Sequence, residues 1–280
     1  MIIKAKTILF LLAILCATSV IAQPSKIKFR DRLGDSTQLV NTAVKPPRVK
    51  GPKPLRGELS GGVRINSDGY GIFVDKGWIK GGDQFGSNNK DRYYHVRLLQ
   101  VELTERKHAK EIRTSNNVGA IGGFQNSSYI LGKVNNFYMF KVGYGRRQMI
   151  AGKPDPGTMA IHWVYLGGFS AGLLKPYYIN LNSRGETKYN DTIIREFISP
   201  NNISGKAPFT KGFGELKFVP GIYFKSGLHF DFATKRKGLM ALEVGASGEY
   251  YTQKVMQMVG QDPKALFFNL YASLQFGKRW

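Results

Sequence analysis

The chain has 280 residues with 41 Lys and Arg against 19 Asp and Glu, a formal charge of +22, together with 33 glycines and one cysteine. That cysteine, Cys16, falls in the leader described below, so the remainder lacks the thiols needed for disulfides, thiolate metal sites or thiol catalysis. An excess of cations this large points to a polyanionic partner or surface; for an exported chain the surface is the natural one, and nucleic acid is not expected.

Export is read from residues 1–22. MIIKAK is basic, Thr7 to Ala17 is apolar, and Val20-Ile21-Ala22 is a small-residue exit, which together make a secretory signal peptide cleaved between Ala22 and Gln23. The apolar run is too short for a membrane-spanning helix, and bulky Leu15 before Cys16 argues against lipidation. Loss of Lys4 and Lys6 leaves the mature chain at +20.

Residues 23–56 form a basic, proline-rich linker. VKPPRVKGPKPLR holds four prolines, which fix φ and remove backbone donors, so an extended, disordered arm is expected. Nine Lys and Arg against Asp31 and Asp35 give this arm +7. Lys26, Lys28, Arg30, Arg32, Lys45, Arg48, Lys50 and Lys53 are its candidate contacts to a protein partner; a solvated linker is the plain alternative.

From Gly57 to Trp280 the hydrophobic period is two. Leu59, Gly61, Val63 and Ile65 oppose Glu58, Ser60 and Arg64, and Ser67-Asp68-Gly69 then marks a tight turn before Tyr70, Ile72 and Val74. Residues 92–104 shift phase near Leu98-Leu99, which predicts a bulge. Tyr138 to Tyr144, Met159 to Leu173, Leu216 to Phe232, Met240 to Tyr250 and Phe268 to Trp280 complete eight strands, with Val164 and Leu166 interrupting the pattern in the fifth. Tyr177, Ile179, Leu181, Ile193, Ile194 and Phe197 are apolar enough for an extra hairpin in 178–213, but the stretches NSRGETKYNDT and SPNNISG argue for loop.

Period alone does not separate a soluble sandwich from a membrane barrel, whose apolar face points to lipid. Strands of 13 to 17 residues suit a tilted crossing. Tyr70, Tyr144, Tyr250 and Phe232 suit interfacial girdles. The opposite parity carries glycine with Arg64, Lys141, Lys225, His229, Asp231, Glu243 and Glu249, a mixture expected to fill a narrow lumen as a charge-paired plug. Connections at 105–135, 178–213 and 252–264 exceed those at 79–90, 146–157 and 233–238, which predicts that the longer set faces outward and the termini face the periplasm. The fold class is therefore all-β: an antiparallel transmembrane β-barrel of eight strands with a disordered N-terminal arm, in the outer membrane of a Gram-negative cell, in contact with outer-membrane lipid or lipopolysaccharide.

Enzymatic signatures are sparse. His95, His108, His162 and His229 show no HExxH spacing, and no phosphate-loop or complete dinucleotide motif occurs, so no metal or cofactor is expected. A lipid hydrolase would need serine, histidine and acid together; His229 with Asp231, or His162 with Ser170, are the pairs on offer, and neither exceeds what a polar lumen supplies. Eight strands also disfavour a solute channel.

The final strand, with in-phase Phe276 and terminal Trp280, resembles the C-terminal signal by which outer-membrane barrels engage their assembly machinery, with Lys278 a departure from it. Signal peptide, basic linker, eight glycine-rich strands and the GKRW ending together resemble the PorT-like outer-membrane β-barrel family. That resemblance implies a structural or accessory role in an envelope protein machine, either secretion of the type IX kind or outer-membrane protein assembly, with a periplasmic or outer-membrane protein as partner. The alternatives are a surface-loop binding protein and a small-solute channel.

Overall fold

Alternation over ten or more residues lets a strand commit one face to apolar contact and the other to polar contact, and the eight long strands do this around a closed ring. The computed structural model describes residues 55–80, 95–114, 128–152, 158–235 and 237–280. Long strands are β1 (Gly57–Asn66), β2 (Gly69–Lys80), β3 (His95–Arg106), β6 (Asn135–Ala151), β7 (Ala160–Pro176), β11 (Lys217–Asp231), β12 (Gly238–Val255) and β13 (Lys264–Arg279). Short pieces lie between them: β4 (Arg113–Thr114), β5 (Tyr129–Ile130), β8 (Tyr178–Leu181), β9 (Gly185–Lys188), α1 (Ile194–Phe197) and β10 (Ile203–Lys206).

The ring runs β1-β13-β12-β11-β7-β6-β3-β2 and closes, every pairing antiparallel, so no edge strand is left in the wall. Closure depends on the chain's last strand lying against its first, with Glu58 opposite Arg279 and Ile65 opposite Ala272. The Arg56 and Gly57 amides donate to the Trp280 carbonyl oxygen at 2.7 and 3.0 Å, and the Trp280 amide donates to Gly57 at 3.0 Å. Arg56, read as the last linker residue, thus already hydrogen-bonds to the wall. The signal peptide and the arm residues from Lys26 to Lys53 lie outside the described residues.

Burial is inverted relative to a protein dissolved in water. Phe169 is 77% exposed, Phe268 76% and Leu270 70%, whereas Arg64, Lys225, Glu243 and Glu249 are at most 2% exposed. A wall that is oily outside and charged inside is the arrangement a lipid-embedded barrel requires. All three tryptophans, Trp78, Trp163 and Trp280, are exposed on the outer face in the half of the barrel that bears Gly57 and Trp280, here the terminal rim. Tyr70, Phe218, Tyr250 and Phe268 stand exposed toward the opposite, loop rim. Among the described residues no helix is long and apolar enough to cross a membrane.

Three expectations change. Strand β3 pairs with β2 and β6 in unbroken register, so no bulge lies at Leu98-Leu99. The phase change arises because Val96 and Leu98 point inward, joining Val164, Leu166 and Tyr223 in an apolar cluster inside the barrel, which also accounts for the interruption in β7. Register shifts occur instead between Met149 and Ala151 and between Tyr250 and Val255. Strand β6 continues to Ala151, which places Tyr144 in mid-wall opposite Leu99 and Gly167 rather than at a rim.

The third change is the segment 178–213, which is folded. Strands β10, β8 and β9 form a small sheet, with Gly185 (φ +71°) taking the left-handed turn that follows Asn182-Ser183-Arg184. Ile179, Leu181, Ile193, Phe197 and Ile203 pack with Tyr129 of β5 as a core of their own. Turn-forming residues were a correct local signal, but the apolar residues between them find one another across 178–203.

Candidate functional site

The alternating polar face of each strand delivers its charges into the lumen, where the barrel's narrowness forces them together. Arg64, Arg106, Lys141, Arg147, Lys225 and Arg279 are buried there with Glu58, Asp75, Glu102, Asp231, Glu243 and Glu249, six cations against six carboxylates. The contacts form a continuous chain from one rim to the other. At the loop rim Arg106 reaches Asp68 at 2.6 Å and Glu249 at 2.8 Å; Lys141 then joins Glu249 at 2.5 Å to Glu102 at 3.3 Å. Asp68 sits in the β1–β2 turn, where burial raises its carboxyl in spite of the Arg106 guanidinium.

In the middle, Arg64 bonds Glu102 and lies 3.7 Å from Glu243, its guanidinium between the Phe73 and Tyr271 rings at 4.6 and 4.7 Å. Lys225 donates to Glu243 and Gln100, both at 2.9 Å, and Gln100 donates to Asp75 at 2.6 Å. At the terminal rim Arg147 meets Glu58 at 2.6 Å, and Arg279 joins Glu58 at 3.3 Å to Asp231 at 2.5 Å. Each ion thus stands within 4 Å of an opposite charge, and most are hydrogen-bonded as well, the condition under which charge in a low-dielectric interior is tolerated.

Space beside the ions is filled. Phe137, Met139, Leu174, Val219, Tyr251 and Val255 pack as an apolar cluster toward the loop rim. Inward glycines make room for these rings: a Cβ on Gly172 would lie 2.8 Å from Phe137, and one on Gly245 would lie 2.7 Å from the Tyr271 hydroxyl.

All seven lumenal residues read from parity are buried inside, and six of them belong to this chain of contacts; the seventh, His229, faces Glu243 through Nδ1 at 3.4 Å. The partners Glu58, Asp75, Glu102, Arg106, Arg147 and Arg279 were not singled out, although Arg279 and Glu58 stand on the wet parity of their strands. Of the two hydrolase pairs, His162 and Ser170 do not meet. Ser170 hydrogen-bonds Tyr251 Oη at 2.8 Å, and it stands eight residues along β7 from His162, a separation of about 26 Å at strand rise. His162 stacks edge-on against His229 with ring centroids 5.7 Å apart, inside the barrel and away from any outer lipid. Among the described residues no group of three or more His, Cys, Asp or Glu could hold a metal.

Phe276 (56% exposed) and Trp280 (51%) both face outward, and Lys76 Nζ sits 4.6 Å over the Trp280 ring. The lumen and the wall together define an eight-stranded antiparallel barrel of membrane type with a filled, charge-balanced interior. No protein-family model matches the chain, and no curated protein matches it. Among solved structures the chain is similar to Ail, the attachment invasion locus protein of Yersinia pestis, at 13% identity and a TM-score of 0.37, covering 81% of this chain and 100% of that one. A structure of the same protein in complex with the heparin analogue sucrose octasulfate matches at 10% identity, with the same coverage and TM-score.

Proposed function

We propose that this chain is an outer-membrane barrel that does not conduct but anchors, serving as an accessory component of an envelope protein machine. The observation that carries this reading is the lumen: six buried cations paired with six buried carboxylates, plus apolar clusters, leave a narrow barrel nothing to transport through. With conduction disfavoured, work falls to what projects from the rims. One candidate is the basic arm that precedes β1 in the sequence, whose Lys26, Lys28, Arg30, Arg32, Lys45, Arg48, Lys50 and Lys53 would hold a periplasmic protein partner by charge. Outward-facing Phe276 and Trp280 would be presented to the barrel-assembly machinery. The PorT-like resemblance of signal, linker, strands and ending supports secretion of the type IX kind, or outer-membrane protein assembly, as the context.

Crosslinking in intact cells tests this reading. Deletion of residues 24–55 is expected to release the crosslinked partner while leaving the barrel inserted; equal recovery of the partner without the arm overturns it. A second reading, a surface-binding protein, is favoured by the folded segment 178–206 with its own core. In that case replacing this segment with a short turn, and not removing the arm, abolishes partner capture.

A further inference from the structure

Lys175 stands on β7 at a position of outward parity, alternating with exposed Trp163 and Phe169, yet it is only 2% exposed. It is covered by the loop chain rather than by the barrel. Lys175 Nζ lies 3.8 and 4.0 Å from the centroids of the Phe209 and Phe213 rings and donates to the Phe209 carbonyl oxygen. An ammonium so shielded normally finds a carboxylate, but among the described residues none pairs with it.

Beside Lys175 is a cavity of about 590 Å³, within the range of small-molecule sites. Its floor is the outer wall at the loop rim, where Tyr70, Glu105 and Tyr138 share the parity of exposed Ile72, Leu103 and Phe140. Its roof comes from β4, β5 and residues 206–211. Among the described residues six cations line it, Lys107, Arg113, Lys133, Lys175, Lys206 and Lys211, against two carboxylates, Glu105 and Glu111, and Lys206 is engaged in an interaction of its own. Glu111 is engaged by Lys133 at 2.9 Å, and Lys211 is satisfied outside the cavity by Glu186 at 2.8 Å. Lys107 caps the Tyr70 ring at 4.7 Å, and among the described residues neither it nor Arg113 pairs with a carboxylate. Tyr177 closes the inner side, its hydroxyl accepting from the Ile130 amide at 3.2 Å and its phenol pushed upward by burial.

We infer that this cavity binds the phosphorylated headgroup of a leaflet glycolipid, with Lys175, Lys107 and Arg113 as the phosphate contacts. Cations beyond what nearby carboxylates neutralise require an anion, and several donors converging on one space suit phosphate. The floor decides the source. It is continuous with the oily outer wall, so a headgroup whose acyl chains run down Ile72, Leu103 and Phe140 reaches the cavity without leaving the membrane. A free phosphate would gain nothing from that continuity.

The inference rests on the reading that the barrel is lipid-embedded, which resistance of the native protein to carbonate extraction tests separately. The site itself is tested by native mass spectrometry of the full chain in detergent with bis-phosphorylated lipid A, dephosphorylated lipid A, or inorganic phosphate. Retention of the phosphorylated lipid alone is expected, with retention falling about tenfold or more in Lys107→Ala/Arg113→Ala, since two charged hydrogen-bonding partners are lost. Those two side chains lie at the protein's surface, so the variant folds; Lys175→Met, which tests the buried contact, is read only if its heat-modifiable mobility is native. Equal retention of both lipids, retention unchanged in the double variant, or displacement of the lipid by millimolar inorganic phosphate overturns the site. A carbonate-extractable barrel overturns the membrane reading instead.

Discussion

The lumen and the cavity at the loop rim each hold six cations, and they treat them oppositely. Inside the barrel six carboxylates answer them, and seven of the eight wall strands contribute to the match; among the described residues lining the rim cavity, only two carboxylates stand with the six. A sealed interior must be balanced because no solvent or ligand can supply the missing charge. A surface cavity can remain unbalanced because an outside anion can. The contrast shows where a strongly basic chain keeps its excess, outside the lumen and in places a partner can reach.

Breaking the lumen's balance should have the largest effect. Glu243→Gln leaves Arg64 and Lys225 buried with one carboxylate fewer between them, and it offers Tyr271 Oη, now donating to Glu243 at 3.1 Å, only a weaker neutral acceptor. The expected loss is about 3–5 kcal/mol of folding stability, read from urea titration of heat-modifiable mobility. Replacing Arg64 and Glu102 together by Met and Leu removes both charges of one pair and should cost far less, within about 2 kcal/mol, by the same titration.

How much of this contrast could be read beforehand follows from what alternation encodes. Period two assigns each side chain to a face, so the inward set from Arg64 to Glu249 was legible. It does not assign partners, because the register that places Arg279 beside Glu58 is a pairing of residues more than two hundred positions apart. Arg147 was not placed inside because 146–157 reads as a connection, whereas β6 runs on to Ala151. Val96, Leu98, Val164 and Leu166 blurred the pattern because an inward apolar side chain violates a rule that holds at most lumenal positions. The rim cavity was the least legible part: Lys175, Phe209 and Phe213 come together only once the segment 178–213 folds back over the wall.

Filling is the second property that sets the lumen apart. Gly172→Leu pushes a branched side chain against Phe137 and Tyr251, and overpacking of this kind should cost about 1–3 kcal/mol by the same titration. Loss of the folded band without any gain in conductance is expected. A conducting variant would mean that the interior rearranges around the new side chain rather than resisting it.

The smallest expected effect is the most discriminating. Lys107→Ala/Arg113→Ala removes two charges from the cavity, and among the described residues neither has a carboxylate partner to strand. Barrel stability in detergent, away from any anionic lipid, should stay within about 0.5 kcal/mol of the parent, as for surface changes that break no pairing. In membranes rich in phosphorylated glycolipid the parent should gain stability that the variant does not, because a ligand that binds only the folded state stabilises it by mass action. The gain between the two media, kept by Arg64→Met/Glu102→Leu and lost by the rim variant, separates charge that completes the fold from charge held open for a partner.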